Sequence, residues 1–306
     1  MAASGAAFAQ SSVSLTGKLR FAYGTAKTDA GVKTTGVGVT DGDWNIAAVE
    51  DLGGGLKAGA NMALRLRGRD AATDATSTGV GARPRDSSMY VTGDFGTVTV
   101  GAIEAGNGIL GLVTAGGPTY IGLDNGVQLA GASNVDILQY TSPAMNGFSF
   151  KAATLDAVGG GGSQNGGALT LYGANYANGP VSAALDVTKY GSSFAAAANS
   201  RTRISANYNL GVAIVGAGYQ NADNGAAAAK KETAISVSAP FGAFNVGAVY
   251  ATSKTDGTAG NNTGYDLAVQ YNLSKRTYVA LQAQSTKTAG ATASATNTRV
   301  QLAHSF

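Results

Sequence analysis

The stretch NMALRLRGRD, residues 61–70, has an arginine at every second position from residue 65 and apolar side chains between the arginines. Successive side chains of a β-strand point to opposite faces, whereas a helix would spread the same side chains around its circumference. The apolar residues are Met62, Leu64 and Leu66, and the arginines are Arg65, Arg67 and Arg69. The pattern therefore predicts a strand that separates an apolar medium on one side from water on the other.

The same two-faced alternation recurs in SSVSLTGKLRFAY, RTRISANYNL, GYDLAVQYN and TRVQLAHSF. Tight turns such as EDLGGGLK, GDFGTV and NLSKRT alternate strictly with longer connections rich in Gly, Ser, Thr and Asp. Soluble sandwiches also have alternating strands, but short turns at one end and long loops at the other are typical of outer-membrane β-barrels. Seven tight turns join fourteen strands, and a first and a last strand raise the number to sixteen. We therefore predict an all-β fold, a closed antiparallel transmembrane barrel of sixteen strands without unpaired edges in lipid.

Composition excludes several other classes of protein. The chain has 45 glycines and 5 prolines, and it has no cysteine for disulfides, thiolate metal sites or nucleophilic catalysis. The net charge of +3 is small and the basic residues are scattered, so we expect no nucleic-acid partner. No apolar segment approaches the roughly 18 continuous residues of a membrane helix. Strands remain as the means by which this chain can cross a membrane.

The sequence lacks the groups that hydrolases and metalloenzymes need. His304 is the sole histidine and falls on the apolar register of the last predicted strand, beside Phe306. A Ser-His-Asp relay or a histidine metal site would need that imidazole next to water. The segment GNGILG, residues 106–111, matches a dinucleotide-binding pattern, but Gly and Pro follow where that fold requires a helix. We therefore expect no enzyme activity, no cofactor and no bound metal.

The first residues, MAASGAAFAQ, contain Ala7-Phe8-Ala9 before Gln10, which has the small-x-small form of a signal-peptidase site. We interpret residues 1–9 as the remnant of an export signal and residues 10–306 as a single barrel domain. An Ala-rich terminus without a targeting role is the alternative.

Five segments together resemble the general porins of β-proteobacteria: VEDLGGGLKAG, VTGDFGTVTVG, LQYTSPAMNGFSF, YNLSKRTYVAL and AHSF. The resemblance extends from Gln10 to Phe306 in the same order. It implies a homotrimer of sixteen-stranded barrels in the bacterial outer membrane, surrounded by lipid bilayer and lipopolysaccharide. It also implies a third loop that folds into the channel as a constriction loop, with acidic residues facing a basic cluster on the wall.

Residue by residue, the resemblance places the constriction loop at about residues 102–134, with Glu104 and Asp124 as its acidic groups. Arg85 in RPRDSSMY matches one arginine of the basic wall. Two other arginines typical of the family are replaced, by Asp43 and by Asn134. The resemblance alone therefore does not predict the sign of the ion selectivity.

Adjacent strands offer a substitute for the missing arginines. We predict that the basic wall of the constriction is formed by Arg85 together with Arg65, Arg67, Arg20 and Lys18. Arginine suits such a wall because it stays charged in a narrow site. Outward placement of these charges would cost about 2–4 kcal/mol each at the membrane midplane.

A pore selects by the width, fixed charges and hydrogen-bonding groups of its constriction, without a chemical reaction. We therefore predict a passive diffusion channel for ions and small hydrophilic solutes. One alternative is a secreted or surface β protein, structural or adhesive, which would lack the alternation of short and long connections. Another is a barrel of fourteen or eighteen strands specific for one substrate, which rows of aromatic residues in the lumen would favour. The tyrosines fall mainly on the lipid-facing registers, which favours general diffusion.

Overall fold

The computed structural model describes residues 11–66, 83–105, 118, 133–156, 169–191, 199–223 and 228–306. These residues form sixteen strands, each antiparallel to the next, and β1 pairs with β16 to close the barrel. The strands are β1 (Ser12–Lys27), β2 (Lys33–Gly53), β3 (Leu56–Arg65), β4 (Arg83–Gly93), β5 (Gly96–Ala105), β6 (Ser133–Thr141), β7 (Phe148–Asp156), β8 (Leu169–Asn178), β9 (Val181–Lys189), β10 (Ser200–Asn209), β11 (Ile214–Asp223), β12 (Lys230–Phe241), β13 (Phe244–Thr255), β14 (Asn262–Asn272), β15 (Thr277–Lys287) and β16 (Ala295–Ser305). The predicted sixteen-stranded antiparallel barrel is confirmed. The predicted signal remnant, residues 1–9, lies outside the described residues.

Seven short connections lie at one end of the barrel, which we call the short-turn end. They are residues 54–55, 94–95, 142–147, 179–180, 210–213, 242–243 and 273–276. In the third of these, Asn146 and Gly147 both have positive φ, 51° and 87°, as a tight hairpin turn with Asn-Gly requires. We call the other end the loop end.

The prediction of strict alternation with long loops is wrong at the first hairpin and at the connection between β13 and β14, residues 256–261, which is no longer than the short connection 142–147. Only residues 28–32 separate β1 from β2, which have 16 and 21 residues and are longer than the other strands that the structure describes. The start of β2, KTTGVGVT, is rich in Thr and Val, whose branched side chains favour strand over loop. This hairpin therefore extends the barrel wall at the loop end.

Apolar side chains point out of the barrel, and small, polar or charged side chains point into it. Along β1, Leu19, Phe21 and Tyr23 are 40%, 45% and 60% exposed, while Lys18 and Arg20 point into the lumen. A water-soluble protein buries its large apolar side chains, so this arrangement fits lipid outside and water inside. Among the described residues, no helix is long and apolar enough to span a membrane.

The seam between β1 and β16 is paired as far as the last residue of the sequence. Gly17 N donates to Phe306 O at 2.9 Å, and Phe306 N donates to Gly17 O at 3.0 Å. The Phe306 ring covers Gly17, where a Cβ would collide with the ring, and meets Trp44 edge-on at 5.4 Å between centroids. His304 lies opposite Leu19, on the outward register that the sequence predicted. Its Nδ1 lies 2.9 Å from Thr277 Oγ1.

Candidate functional site

The lumen faces of β1, β3 and β4 carry four cations that cluster around carboxylates of β2. We call this cluster the basic wall, and its members are Lys18, Arg20, Arg65 and Arg85. Lys18 lies opposite Asp43 of β2, and Asp43 lies opposite Arg65 of β3. Side chains directly opposite each other on one face of a sheet have Cβ atoms about 5 Å apart. Strand register therefore places the Asp43 carboxylate between two cations.

Asp43 is the centre of the basic wall. Its Oδ2 lies 3.3 Å from Lys18 Nζ, and its Oδ1 lies 3.7 Å from Arg65 Nε. Arg85 Nη1 donates a hydrogen bond to Asp43 Oδ2. The Asp43 side chain is 1% exposed, whereas the side chains of Lys18, Arg65 and Arg85 are 33%, 32% and 31% exposed. Because a buried carboxylate is stable only when it is paired, the three cations and Asp43 depend on one another.

A β-bulge directs Arg85 towards Asp43. On β4, Asp86 lies opposite Ala63 and Pro84 lies opposite Leu64, so Arg85 has no partner across the β3–β4 ladder. An extra residue of this kind bends the strand and changes the direction of its side chain. The bulge thus brings a third strand, β4, into contact with the carboxylate on β2.

A second bulge lies on β2, next to Asp41. The ladder shifts between the partners of Arg20 and Phe21, which leaves Thr40 without a partner. Asp41 Oδ2 lies 2.7 Å from Lys18 Nζ and 3.3 Å from Arg20 Nη1. The carboxylates of Asp41 and Asp43 together therefore contact all four cations of the basic wall.

The lumen side of the basic wall is cationic. Asp41 and Asp43 are 16% and 1% exposed, while the four cations are 24–33% exposed. A further carboxylate, Asp86, lies 3.7 Å from Arg85 Nε at the edge of the cluster. Water in the lumen consequently meets the guanidinium and ammonium groups and the 35% exposed carboxylate of Asp86 more than it meets the two central carboxylates.

The opposite part of the lumen, from β7 to β12, carries a second set of charges that we call the polar ladder. Its members are Lys151, Asp186, Arg203, Gln220, Lys230 and Glu232. Strand register pairs Asp186 with Arg203, Arg203 with Gln220, and Gln220 with Glu232.

Contacts in the polar ladder follow the register. Arg203 Nε donates to Gln220 Oε1, and Gln220 Nε2 donates to Glu232 Oε2. Lys230 Nζ lies 2.8 Å from Glu232 Oε1. At the other end, Lys151 crosses a whole strand, β8, and its Nζ lies 2.8 Å from Asp186 Oδ1.

Gly173 of β8 permits this crossing. It lies opposite both Lys151 and Asp186, and a Cβ at this position would collide with Lys151 Cε. The absence of a side chain leaves a channel along the wall for the lysine. The Lys151–Asp186 pair therefore depends on glycine at this position.

An apolar patch lies on the lumen face of β6, β7 and β8, near the loop end. Val135, Ala153, Leu155 and Leu169 are 5–8% exposed and pack together, with Ile103 of β5 against them. Apolar side chains on the wall of a water-filled pore would be exposed.

The structure brings together four of the five basic residues predicted from the sequence, and the fifth, Arg67, lies outside the described residues. Glu104, predicted on the constriction loop, has its backbone in strand β5, opposite Asn134 of β6. The other predicted acidic residue, Asp124, lies outside the described residues.

Sequence reasoning treated Asp43 only as a lost arginine and did not identify it as the carboxylate that contacts three cations. It also missed the polar ladder. The sequence signal for Asp43 was the pattern DGD at residues 41–43. Its two aspartates are two residues apart, as are Lys18 and Arg20 on the preceding strand. Among the described residues, no group of three or more His, Cys, Asp or Glu side chains could hold a metal ion.

The chain resembles known proteins over most of its length. A family model described as Gram-negative porin matches residues 1–291. The outer membrane porin protein 32 of Delftia acidovorans is 32% identical over 241 residues, which are 70% of this chain. The aligned part spans 64% of the length of that relative.

Solved structures have the same fold. The anion-selective porin from Comamonas acidovorans superposes with a TM-score of 0.76 at 23% identity, covering 97% of this chain and 100% of the other. A triple mutant of the Rhodopseudomonas blastica porin superposes with a TM-score of 0.71 at 17% identity, covering 96% of this chain and 100% of the other. These identities are low, so the superpositions concern the fold alone.

Proposed function

This chain belongs to the Gram-negative porin family, and we propose that it is a passive diffusion channel of the bacterial outer membrane for ions and small hydrophilic solutes. The closed barrel, apolar outside and polar inside, supports this function. Porins are channels and not enzymes, so family membership supports the prediction that the chain catalyses no reaction. It also argues against a surface protein that transports nothing.

The proposed selectivity is for anions, and the observation that carries it is the basic wall. Four cations are one quarter to one third exposed, while the two central carboxylates are more buried. Fixed charge at a constriction attracts counter-ions and repels ions of the same sign. The name of the Comamonas acidovorans neighbour, an anion-selective porin, agrees with this sign.

The proposed constriction loop is the connection between β5 and β6, residues 106–132. The buried apolar patch on the lumen face supports an inward path for this connection, since Val135 and Ile103 lie on the strands that flank it. On this path, Asp124 would face the basic wall, and Arg67 would extend it. Glu104 does not lie on this path, because it follows Ile103 in β5 and so falls on the outward register of that strand. The resulting field across the channel would orient dipolar solutes.

A homotrimer is part of the same proposal and rests on the resemblance to general porins. Diffusion without a dedicated substrate is favoured because eight tyrosines are exposed on the outward, lipid-facing registers of their strands and do not line the lumen. Those residues are Tyr23, Tyr140, Tyr172, Tyr208, Tyr219, Tyr250, Tyr265 and Tyr271. A sugar-binding or hydrocarbon-binding channel would instead line its lumen with such rings, and sixteen strands differ from the fourteen or eighteen expected for it.

Planar-bilayer recording of the purified protein under a salt gradient tests this proposal. We expect conductance steps that occur in groups of three and a reversal potential of the sign that anion preference requires. Reversal at the cation potential would reject the proposed role of the basic wall. Folded protein without any conductance would reject the channel itself.

A further inference from the structure

Pro84 lies on the outer face of the barrel, next to the bulge that brings Arg85 into the basic wall. It lies opposite Leu64 of β3, and Leu64 shares the outward register with Met62, which is 50% exposed. The Pro84 side chain therefore points away from the lumen, where it cannot contact a permeating ion. Any influence of this residue on ion selectivity has to act through the backbone of β4.

The bulge places two consecutive residues of β4 on the lumen face. Asp86 lies opposite Ala63, on the lumen register of β3. Arg85, which directly precedes it, donates from its Nη1 to Asp43 Oδ2 inside the lumen. Consecutive side chains of a regular strand point to opposite faces, so only one of Arg85 and Asp86 would face the lumen without the bulge. The bulge thus adds one charged side chain to the lumen.

The face of Asp86 is determined by the apolar residues that follow it on β4. Met89 and Val91 are 63% and 38% exposed on the outer surface, which keeps the residues in phase with Asp86 on the lumen side. Without the bulge, regular alternation from Asp86 would turn Arg85 to the outer face, away from Asp43. Arg85 is the third residue of β4 from the loop end, where a cation on the outer face costs little.

The direction of the backbone amides shows where β4 tolerates a proline. Leu66 N of β3 donates to Gly42 O of β2 at 2.8 Å, and amides alternate in direction along a strand. The Leu64 amide therefore also points to β2, whereas the Arg65 amide points to β4. Pro84 lies opposite Leu64, in a pair that shares no backbone hydrogen bond. The missing amide hydrogen of proline costs nothing in such a pair.

Regular pairing without the bulge would move Pro84 by one position, from Leu64 to Arg65. The Arg65 amide points to β4, so a residue opposite Arg65 belongs to a hydrogen-bonded pair. Proline has no amide hydrogen for such a pair, and inside sheets it is found at edges, at strand starts and at bulges. Proline at position 84 consequently excludes the regular register of β4 and selects the bulged one.

We propose that Pro84 is a positioning residue for the ion selectivity of the channel: it fixes the bulge of β4, and the bulge turns Arg85 into the basic wall. The inference rests on the proposed anion selectivity of that wall. A residue on the lipid side of the barrel thereby sets the number of cations in the lumen. Without the bulge, Asp43 would keep Lys18 and Arg65 as partners and lose Arg85.

Planar-bilayer recording of Pro84→Val under a salt gradient tests the proposal. Valine keeps an apolar side chain towards lipid, restores the amide hydrogen and favours a regular strand. The permeability ratio of anion to cation should fall by about twofold, as expected for the loss of one cation from the basic wall. Pro84→Ala is a second variant should the first fail to fold. The reversal potential of wild type in both variants would overturn the proposal.

Two controls separate this effect from a general disturbance of the barrel. Pro240 lies in β12, whose ladder with β13 has no shift in register, so Pro240→Val should retain the reversal potential of wild type. A shift as large as that of Pro84→Val would overturn the proposal. Pro84→Val/Arg85→Gln should behave like Arg85→Gln alone, because both substitutions remove the same cation from the lumen. Additive shifts would mean that Pro84 acts by another route, which also overturns the proposal.

Thiol labelling tests the face of residue 85 without reference to selectivity. The chain has no cysteine, so Arg85→Cys introduces a single thiol. In lipid vesicles, a charged water-soluble thiol reagent should label Arg85→Cys and should label Pro84→Val/Arg85→Cys severalfold more slowly. Equal rates would overturn the proposal. Wild-type protein without anion preference would reject the proposed selectivity, while the labelling rates would still decide whether Pro84 fixes the bulge.

Discussion

The basic wall and the polar ladder hold charges inside the same barrel by two different arrangements. In the basic wall, Asp43 contacts cations from three strands, and those cations are about one-third exposed while Asp43 is buried. In the polar ladder, charges follow one another across neighbouring strands, and Gln220 separates Arg203 from Glu232. Concentrated charge gives a strong local field, whereas alternating charge largely cancels. We therefore expect that the basic wall sets the selectivity and that the polar ladder stabilises the strands that carry it.

Asp43→Asn should have the largest effect. It leaves three cations facing each other without their shared carboxylate, and we expect a loss of about 3 kcal/mol of unfolding free energy. This is the lower end for a broken buried pair, because the cations are about one-third exposed. Urea unfolding in lipid vesicles measures the loss.

Asp186→Asn is the matched change in the polar ladder and should cost less, since within the described ranges Asp186 makes an ion pair with one cation, Lys151, whereas Asp43 contacts three. Asp43→Asn should also increase anion preference in the same bilayer assay. Equal losses of unfolding free energy in the two variants would mean that the charges of the basic wall depend on their carboxylate no more than those of the polar ladder do.

Gly173→Ala should have the next largest effect and should act on the polar ladder. The new Cβ would occupy the path of Lys151 and break its contact with Asp186. We expect a loss of about 1–2 kcal/mol of unfolding free energy with little change in reversal potential. The control is Gly36→Ala on β2, where a Cβ would meet no atom within 4 Å. A loss of the same size in the control would attribute the effect to strand glycines in general.

Arg65→Ala should change selectivity more than Arg203→Ala does. Both substitutions remove a lumen guanidinium, but Arg65 belongs to the concentrated cluster. We expect the permeability ratio of anion to cation to fall by about twofold with Arg65→Ala, which corresponds to about 0.4 kcal/mol. Reversal potentials under one fixed salt gradient give both ratios. Equal shifts for the two variants would show that the polar ladder contributes equally.

Salt should weaken the selectivity of wild type by a smaller amount. The Debye length falls from about 10 Å at 0.1 M salt to about 3 Å at 1 M salt, so fixed charges act over a shorter distance. Anion preference should decline over this range, and the decline should be smaller in Arg65→Ala. A preference independent of salt would point to pore width as the source of selectivity.

The period of two in the sequence predicted the faces of the strands, and together with the pattern of short and longer connections it predicted the barrel. It correctly placed Lys18 and Arg20 on the lumen side, and it placed Leu19 and Phe21 in lipid. This prediction succeeds because a strand can bury only alternate residues, so each face carries its own composition.

The cross-strand partners could not be predicted in the same way. Bulges at Thr40 and Arg85 shift the pairing of two ladders by one residue. Pro84, next to Arg85, disfavours a regular ladder there, but it does not show which cross-strand partners result. The partners of Asp43 depend on both shifts. The polar ladder was missed because its members come from five strands separated by connections of unpredicted length.

The ladder between β1 and β16 joins the two extremes of the described chain, from Lys18 opposite Ser305 to Lys27 opposite Thr296. Every other ladder joins strands that follow each other along the chain. Neighbouring hairpins can therefore form with little loss of chain entropy, but the final ladder closes a loop of almost the whole protein. Contacts of such high contact order form slowly. Until Phe306 reaches Gly17, two strand edges lack partners, so closure of this ladder and insertion into lipid are expected to be the slow, joint step of folding.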